Sequence, residues 1–158
     1  MVKPIPDNYP RVSASLGVAG AGDAIEFYKS VLGATERMRV PMPDGKVGHS
    51  ELEIGDSLIM VADEFPEMDF LGPDSIGGTP VVLSVYVEDV DAVFAAALAA
   101  GATEVRPVED QFYGDRSGQF RDPWGHRWNL ATHIEDVSAE EIAARSEKMM
   151  SEMGGSAG

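Results

Sequence analysis

DAIEFYKSVLGATE, residues Asp23 to Glu36, lies without a gap over DAVFAAALAAGATE, residues Asp91 to Glu104. Asp, Ala, Gly, Ala, Thr and Glu coincide, and Ile25 faces Val93. Both stretches read as helices. Ala24, Phe27, Tyr28, Val31 and Leu32 recur at the spacing of one helical face, and so do Ala92, Ala95, Ala96, Ala99 and Ala100. Asp23 and Asp91 are suited to capping the first turns, and Gly33 and Gly101 to ending the helices.

The flanks repeat as well. YPRVSASLGV precedes the first helix and PVVLSVYV the second, and both read as strands. After the first GATE come ERMRVPM, KVGHSELEI, a Gly55-Asp56 turn and SLIMVA. After the second come EVRPVED, SGQFRD, the turn Asp122-Pro123-Trp124-Gly125 and HRWNLAT. Gly-Asp and Pro-x-Gly between strand runs are hairpin chemistry. Each half is therefore strand, helix, strand, strand, strand. The fold class is α+β, with two tandem βαβββ modules whose curved mixed sheets form a ligand cleft, plus a C-terminal helix. Module one spans about residues 9–63, a linker 64–79 and module two about 80–136, all in one domain of residues 1–136. Residues 137–158 supply the helix and a disordered GGSAG tail.

The linker is rich in Pro, Gly and acid and carries Phe65, Met68, Phe70 and Leu71. Two roles fit it: pinning the segment to the surface, or forming a lid or subunit contact. In the C-terminal helix, Ser138 and Glu141 make a capping box, and Ile142, Met149 and Met153 form a thin apolar seam. That seam packs on the body or on a second copy.

The 158 residues suit one domain, and 44% hydrophobic content supports a core. A net charge of −15 argues against nucleic acid and anionic membranes as partners, and it favours a cationic ligand. Without cysteine there is no disulfide, thiolate metal site or thiol nucleophile. MVKPIPDNYP has no apolar core of a secretory signal, and no run reaches the roughly 18 apolar residues of a spanning helix. The expected location is cytoplasmic. GVAGAGDA, Gly17 to Ala24, has the look of a dinucleotide fingerprint, but hairpin strands follow it where a βαβ crossover is needed.

With two βαβββ modules in place, the chain resembles the vicinal oxygen chelate superfamily. This is the group of glyoxalase I, bleomycin-resistance proteins, fosfomycin-resistance enzymes and extradiol dioxygenases. The carriers are AIEFYKSVLGA, VEDVDAVFAAALAAGA and DPWGHRWNL, and the resemblance covers about residues 9 to 135. YGDRSGQFRDPWGHRWNLATH sets the chain apart from the glyoxalase I branch. In metal-dependent members, His, Glu and sometimes Gln from four strands meet a cation. The resemblance puts those positions near Ser13, Met60, Val82 and Asn129. A hydroxyl, a thioether, an alkyl chain and an amide are not a hard-cation set. The expectation is therefore no metal and no other cofactor.

Strand alternation nominates other groups for the cleft. His49 and Glu51 share the bare face of their strand, with Glu53 beyond them, while Leu52 and Ile54 face the core. His49 and Glu51 fit a catalytic acid–base or ligand pair, and equally a solvent-facing hydrogen-bonded pair. Arg127 and Asn129 face the cleft, where Arg127 suits a carboxylate or phosphate, or else neutralises Glu51 or Glu53. In the YGDRSG loop, Tyr113 supplies an aromatic wall, and Asp115 with Arg116 grips a polar ligand or braces the loop. Trp128 belongs to the core, and Trp124 is exposed or lies under a loop. The ligand-binding candidates are thus Ser13, His49, Glu51, Met60, Tyr113, Asp115, Arg116, Arg127 and Asn129.

The expected function is metal-independent binding or sequestration of a small molecule, cationic or aromatic, by a homodimer. The resemblance supplies the precedent of bleomycin-resistance proteins. The alternative is a lyase- or isomerase-type enzyme acting on a small polar metabolite through a metal with shifted ligands.

Overall fold

The structure, a computed structural model, describes residues 1–155. Module one runs β1 (Ala14–Val18), α1 (Ala21–Leu32), β2 (Thr35–Pro41), β3 (Val47–Ile54) and β4 (Ser57–Asp63). A linker follows, with a 3₁₀ turn at Pro66–Met68 and a short helix α2 (Pro73–Ile76). Module two repeats the order as β5 (Val82–Tyr86), α3 (Val90–Ala99), β6 (Thr103–Asp110), β7 (Asp115–Arg121) and β8 (Arg127–His133). Helix α4 (Ala139–Gly155) closes the described chain. The tail reading of GGSAG is corrected in part: Gly154 and Gly155 belong to α4, and residues 156–158 lie outside the described residues.

Each module forms a four-stranded mixed sheet, in the orders β1-β4-β3-β2 and β5-β8-β7-β6. The parallel pairs are β1 with β4 and β5 with β8, because the helix carries the chain across the sheet before two hairpins return it. Thr35 and Thr103 open β2 and β6, so the duplicated GATE marks the passage from helix to second strand. Gly33 ends α1 in the left-handed conformation (φ 68°) and donates its N–H to Tyr28 O.

The capping reading is wrong in detail. Asp23 sits inside the first turn of α1, whose N-cap is Gly20. The acceptor is Asp63 at the end of β4, which takes the N–H groups of Gly20 (2.9 Å), Ala21 (3.0 Å) and, through its other oxygen, Val47 (2.7 Å). The cap of α3 is Asp89, which accepts from Ala92 N at 3.1 Å, while Asp91 pairs with Arg116. A cap delivered from another strand leaves no local sequence signal.

Asp63 is buried and its pKa lies below the usual carboxylate range: burial pushes it up, and the three backbone N–H groups outweigh that. A depressed pKa contributes stability that is present at neutral pH and lost as pH falls through the folded-state value. Asp63→Asn is therefore expected to be less stable than the native chain at pH 7. The gap should narrow as pH drops below the ordinary Asp value of about 3.9. Urea melts at several pH values check this, and a gap constant with pH would count against it.

One core serves both modules. Tyr28 of α1 meets Trp128 of β8 with ring centroids 5.3 Å apart, and Phe27 meets Phe120 of β7 at 6.2 Å. Trp128 is 1% exposed, as expected of a core residue, and Trp124 packs on Phe27 at 5.7 Å. The face expected for α1 is buried throughout, whereas that of α3 is not. Val90, Phe94 and Ala97 go inward, and Ala92, Ala95, Ala96, Ala99 and Ala100 stay exposed. A run of alanines carries no contrast between faces, so the bulkier Val and Phe choose the inward side.

The linker is seated at two points. A Cβ on Gly17 would lie 2.8 Å from Leu71 O, and one on Gly125 would lie 2.8 Å from Pro73 Cβ. Gly72 N also donates to Glu64 Oε1 at 2.7 Å. Gly17→Ala is expected to cost about 1 kcal/mol, by the general penalty for overpacking a close contact. It should also speed proteolysis within residues 64–79. Unchanged cleavage would mean that the segment does not depend on that contact.

Candidate functional site

On module one, register decides which side chains share the bare face. Ser15 pairs with Met60, Met60 with Glu51, and His49 with Val40. Ser15, His49 and Met60 line a cavity of about 500 Å³ together with Met42, Ala62 and the linker residues Phe65, Met68 and Phe70. Phe65 and Phe70 are bridged to each other by backbone hydrogen bonds of 2.8 and 3.1 Å. The linker is thus both pinned and a wall of the cavity. Thioether and phenyl groups dominate the lining, with Ser15, His49 and Glu67 as its polar side chains.

Ser13 is displaced from its expected place. It precedes β1 and lines a second groove of about 480 Å³, which takes in the start of β1, the Gly55–Ile59 segment and Leu83 to Tyr86 of β5. Ser15, two residues on, is the residue that meets Met60, with Oγ 3.8 Å from Sδ. A two-residue slip keeps the face and changes the depth, and the short strand has no turn at its start to fix it.

A polar chain backs His49. Glu51 is 4% exposed, and its carboxylate accepts from His49 Nε2 at 3.0 Å and from the Tyr9 hydroxyl at 2.9 and 3.1 Å. Arg37 stacks over the Tyr9 ring at 4.5 Å and approaches Glu51 to 3.8 Å. The His49 hydrogen bond, aided by Tyr9 and nearby Arg37, holds the Glu51 carboxyl below its usual range against the cost of burial. Glu51 in turn raises the pKa of Tyr9. With Glu51 ionised, Nε2 is the donor, which fixes the orientation of His49; no partner meets Nδ1 among the described residues. Tyr9 and Arg37 carried no sequence signal, because neither sits in a motif; Tyr9 opens the expected strand YPRVSASLGV, but β1 begins only at Ala14 and leaves Tyr9 in the segment before it.

Module two scatters its candidates. Tyr113 and Asn129 line a hollow of about 100 Å³ with Arg106, Gln119 and Ser117. The loop reading of YGDRSG is corrected, since Asp115 to Gly118 belong to β7. Adjacent strand residues point to opposite faces, so Asp115 and Arg116 do not act on one ligand, nor do they pair with each other. Arg116 turns to the helix side, to Asp91 (2.9 Å) and Asp110 (2.9 Å). Asp115 is buried, accepting from the Tyr86 hydroxyl at 2.7 Å and from His133 Nδ1 at 2.8 Å. His133 also meets Asp136 at 2.7 Å, and the two carboxylates, Asp115 first, keep its proton on to higher pH than a free imidazole. Arg127 is not spent on Glu51 or Glu53, which Arg37 approaches instead. Its hydrogen bond goes to Gln119 Oε1 at 3.1 Å.

The nine candidates therefore do not converge. His49 and Met60 share the linker-walled cavity with Glu51 behind them, and Ser13, Tyr113 with Asn129, and Arg127 lie in three other hollows. Among the described residues, no three His, Asp or Glu side chains come together as a metal-binding group. The register that sets Ser15 opposite Met60 also sets Ser84, two residues beyond the expected Val82, opposite Asn129. The side chains at the four positions, now Ser15, Met60, Ser84 and Asn129, are a poor match for a hard divalent cation.

The family model of the Glyoxalase/Bleomycin resistance protein/Dioxygenase superfamily matches residues 12–130. An uncharacterized protein of Mycobacterium bovis, Mb0911c, is 45% identical over 138 residues, 85% of this chain and 91% of its own length. Among solved structures, TioX from Micromonospora sp. ML1 is 26% identical, with a TM-score of 0.61 over 82% of this chain and 100% of that one. The gene product At5g48480 of Arabidopsis thaliana is 29% identical, with a TM-score of 0.63 over 78% of this chain and 98% of that one. No helix among the described residues is long and apolar enough to cross a membrane.

Proposed function

We propose that this chain, which belongs to the glyoxalase/bleomycin resistance protein/dioxygenase superfamily, binds and sequesters a small aromatic or cationic molecule without a metal. The observation that carries the reading is the linker-walled cavity of about 500 Å³ lined by Met42, Met60, Met68, Phe65 and Phe70. Thioethers adapt to flat apolar ligands, and phenyl faces attract cations. Glu67 in the lining, Glu51 behind His49 and the net charge of −15 favour a positive group. The metal-free part of the reading rests on the donor set, since hydroxyl, thioether and amide groups at the strand positions hold a hard cation weakly.

The test compares phenyltrimethylammonium with its uncharged isostere tert-butylbenzene by chemical-shift titration. The cation is expected to bind about tenfold more tightly and to shift the methyl resonances of Met42, Met60 and Met68. Equal binding of the two, or shifts confined to other methyls, would remove the cationic part of the reading.

The same reading includes a homodimer. β1 and β5 are outer strands, each hydrogen-bonded along one edge only among the described residues, and such edges are commonly covered. The cavity is lined by module one and the linker without help from module two, so a second copy has an open face to complete. Light scattering after gel filtration is expected to give twice the chain mass of 16.9 kDa. A monomer at micromolar concentration would contradict it.

A further inference from the structure

A third cavity, of about 380 Å³, lies between the linker and the β7–β8 hairpin and shares no lining residue with the one walled by Phe65 and Phe70. Its charged side chains are Arg121, Arg127 and Asp74. Arg121 and Arg127 stand directly opposite each other in the β7–β8 register. Like charges in that relation are destabilising. The chain has 27 acidic residues against 12 lysines and arginines, yet among the described residues no carboxylate lies within ion-pair distance of either one.

Arg127 is half-buried. Its hydrogen bond goes to a neutral amide, Gln119 Oε1 at 3.1 Å, and its Nε is buried with no partner. Buried polar groups are nearly always matched, so an orphaned guanidinium nitrogen calls for a cause. The Arg121 side chain makes no hydrogen bond or ion pair among the described residues. The N–H groups of Gly77 and Gly78 are already spent on Pro73 O, at 2.8 and 2.9 Å. Thr79 Oγ1 accepts from Val81 N at 3.1 Å, which leaves its own proton to donate. The unspent side-chain donors of this cavity are thus the Arg121 guanidinium, the N–H groups that Arg127 keeps beyond its bond to Gln119, and one hydroxyl.

We propose that this cavity is an oxyanion site, which takes the phosphate or carboxylate group of a small molecule between Arg121 and Arg127. An anion seated there relieves the Arg–Arg repulsion and uses the guanidinium donors in charge-assisted hydrogen bonds. The two arginines outnumber Asp74, which faces the same space and disfavours bulky polyanions. The proposal stands apart from the aromatic-ligand reading, because it uses different residues and the opposite ligand charge.

The experiment follows the arginine Nε–Hε resonances of the full chain during titration with inorganic phosphate, and separately with acetate, at constant ionic strength. The expected result is a saturable shift of Arg121 and Arg127, with affinity about tenfold weaker in Arg121→Gln and unchanged in Arg106→Gln. Arg121 is exposed, so its substitution leaves the core intact. Tighter binding of phosphate assigns a phosphate-bearing ligand, and tighter binding of acetate a carboxylate. No saturable shift with either anion, or the same affinity in Arg121→Gln, overturns the site.

Discussion

Asp122→Ala is expected to lose about 4 kcal/mol of folding stability, the largest effect of any single substitution considered for this chain. Asp122 is 3% exposed and accepts four hydrogen bonds. Oδ1 takes the backbone N–H groups of Trp124 and His126, both at 3.0 Å. Oδ2 takes the Tyr28 hydroxyl at 2.5 Å and Trp128 Nε1 at 2.9 Å. Tyr28 is fully buried on α1, so this carboxylate fastens the hairpin of module two to the helix of module one. Burial first, and the Asp122 charge after it, push the Tyr28 pKa well above that of a free phenol. The alanine variant leaves those donors in the core without a partner. Asp122→Asn keeps Oδ1 but turns an amide NH₂ toward the Tyr28 hydroxyl and the Trp128 N–H, and should lose about half as much. Urea denaturation measures both, and a loss under about 1 kcal/mol for Asp122→Ala would remove this carboxylate as the joint between the modules.

Glu51→Gln is expected to weaken binding of phenyltrimethylammonium about tenfold and to leave tert-butylbenzene unchanged. A unit charge several ångströms from the ligand, in the partly wet interior of a protein, is worth about 1 to 2 kcal/mol. The amide retains the oxygen that accepts from Tyr9 and His49, so the shape of the wall is conserved while the charge is lost. A parallel loss of affinity for both compounds would mean that Glu51 acts through packing. No change for either would place the cation elsewhere, and Glu67 would be the next substitution.

Asp122 also shows where sequence reading succeeds and where it stops. The DPWG turn and the GATE repeat were legible because turns and helix ends have local residue requirements. Among the described residues, those requirements locate eight strands and three long helices, with β1 starting at Ala14 and not at Tyr9. The register of β8 follows from the turn, which sets Arg127 and Asn129 on the face away from the buried Trp128 and Leu130. The role of Asp122 as a joint was not legible, since its partner Tyr28 belongs to the other module. The same holds for Asp63, which caps α1 from β4, and for Tyr9, which reaches Glu51 from outside any strand.

The errors at the site have physical origins as well. Gly114 makes the YGDRSG segment read as a loop, in which Asp115 and Arg116 can face one ligand or each other. Once it is a strand, alternation separates the two residues. α3 was turned to its alanine face because alanine hardly distinguishes inside from outside. The spread of the candidates over separate hollows is not legible for a different reason: how two modules sit together is not written in the local pattern of either. The wall formed by Phe65 and Phe70 depends on how the linker folds back on module one, which no local pattern encodes either.

The proposal that this member of the superfamily binds its ligand without a metal can be checked in one experiment. The most direct test is the metal content of protein purified without chelator, by elemental mass spectrometry per chain. Far less than one equivalent is expected, and still so after incubation with divalent ions and desalting. About one equivalent of Ni, Zn, Fe or Mn per chain would contradict it, and His49 and Glu51 would then be the first ligands to substitute.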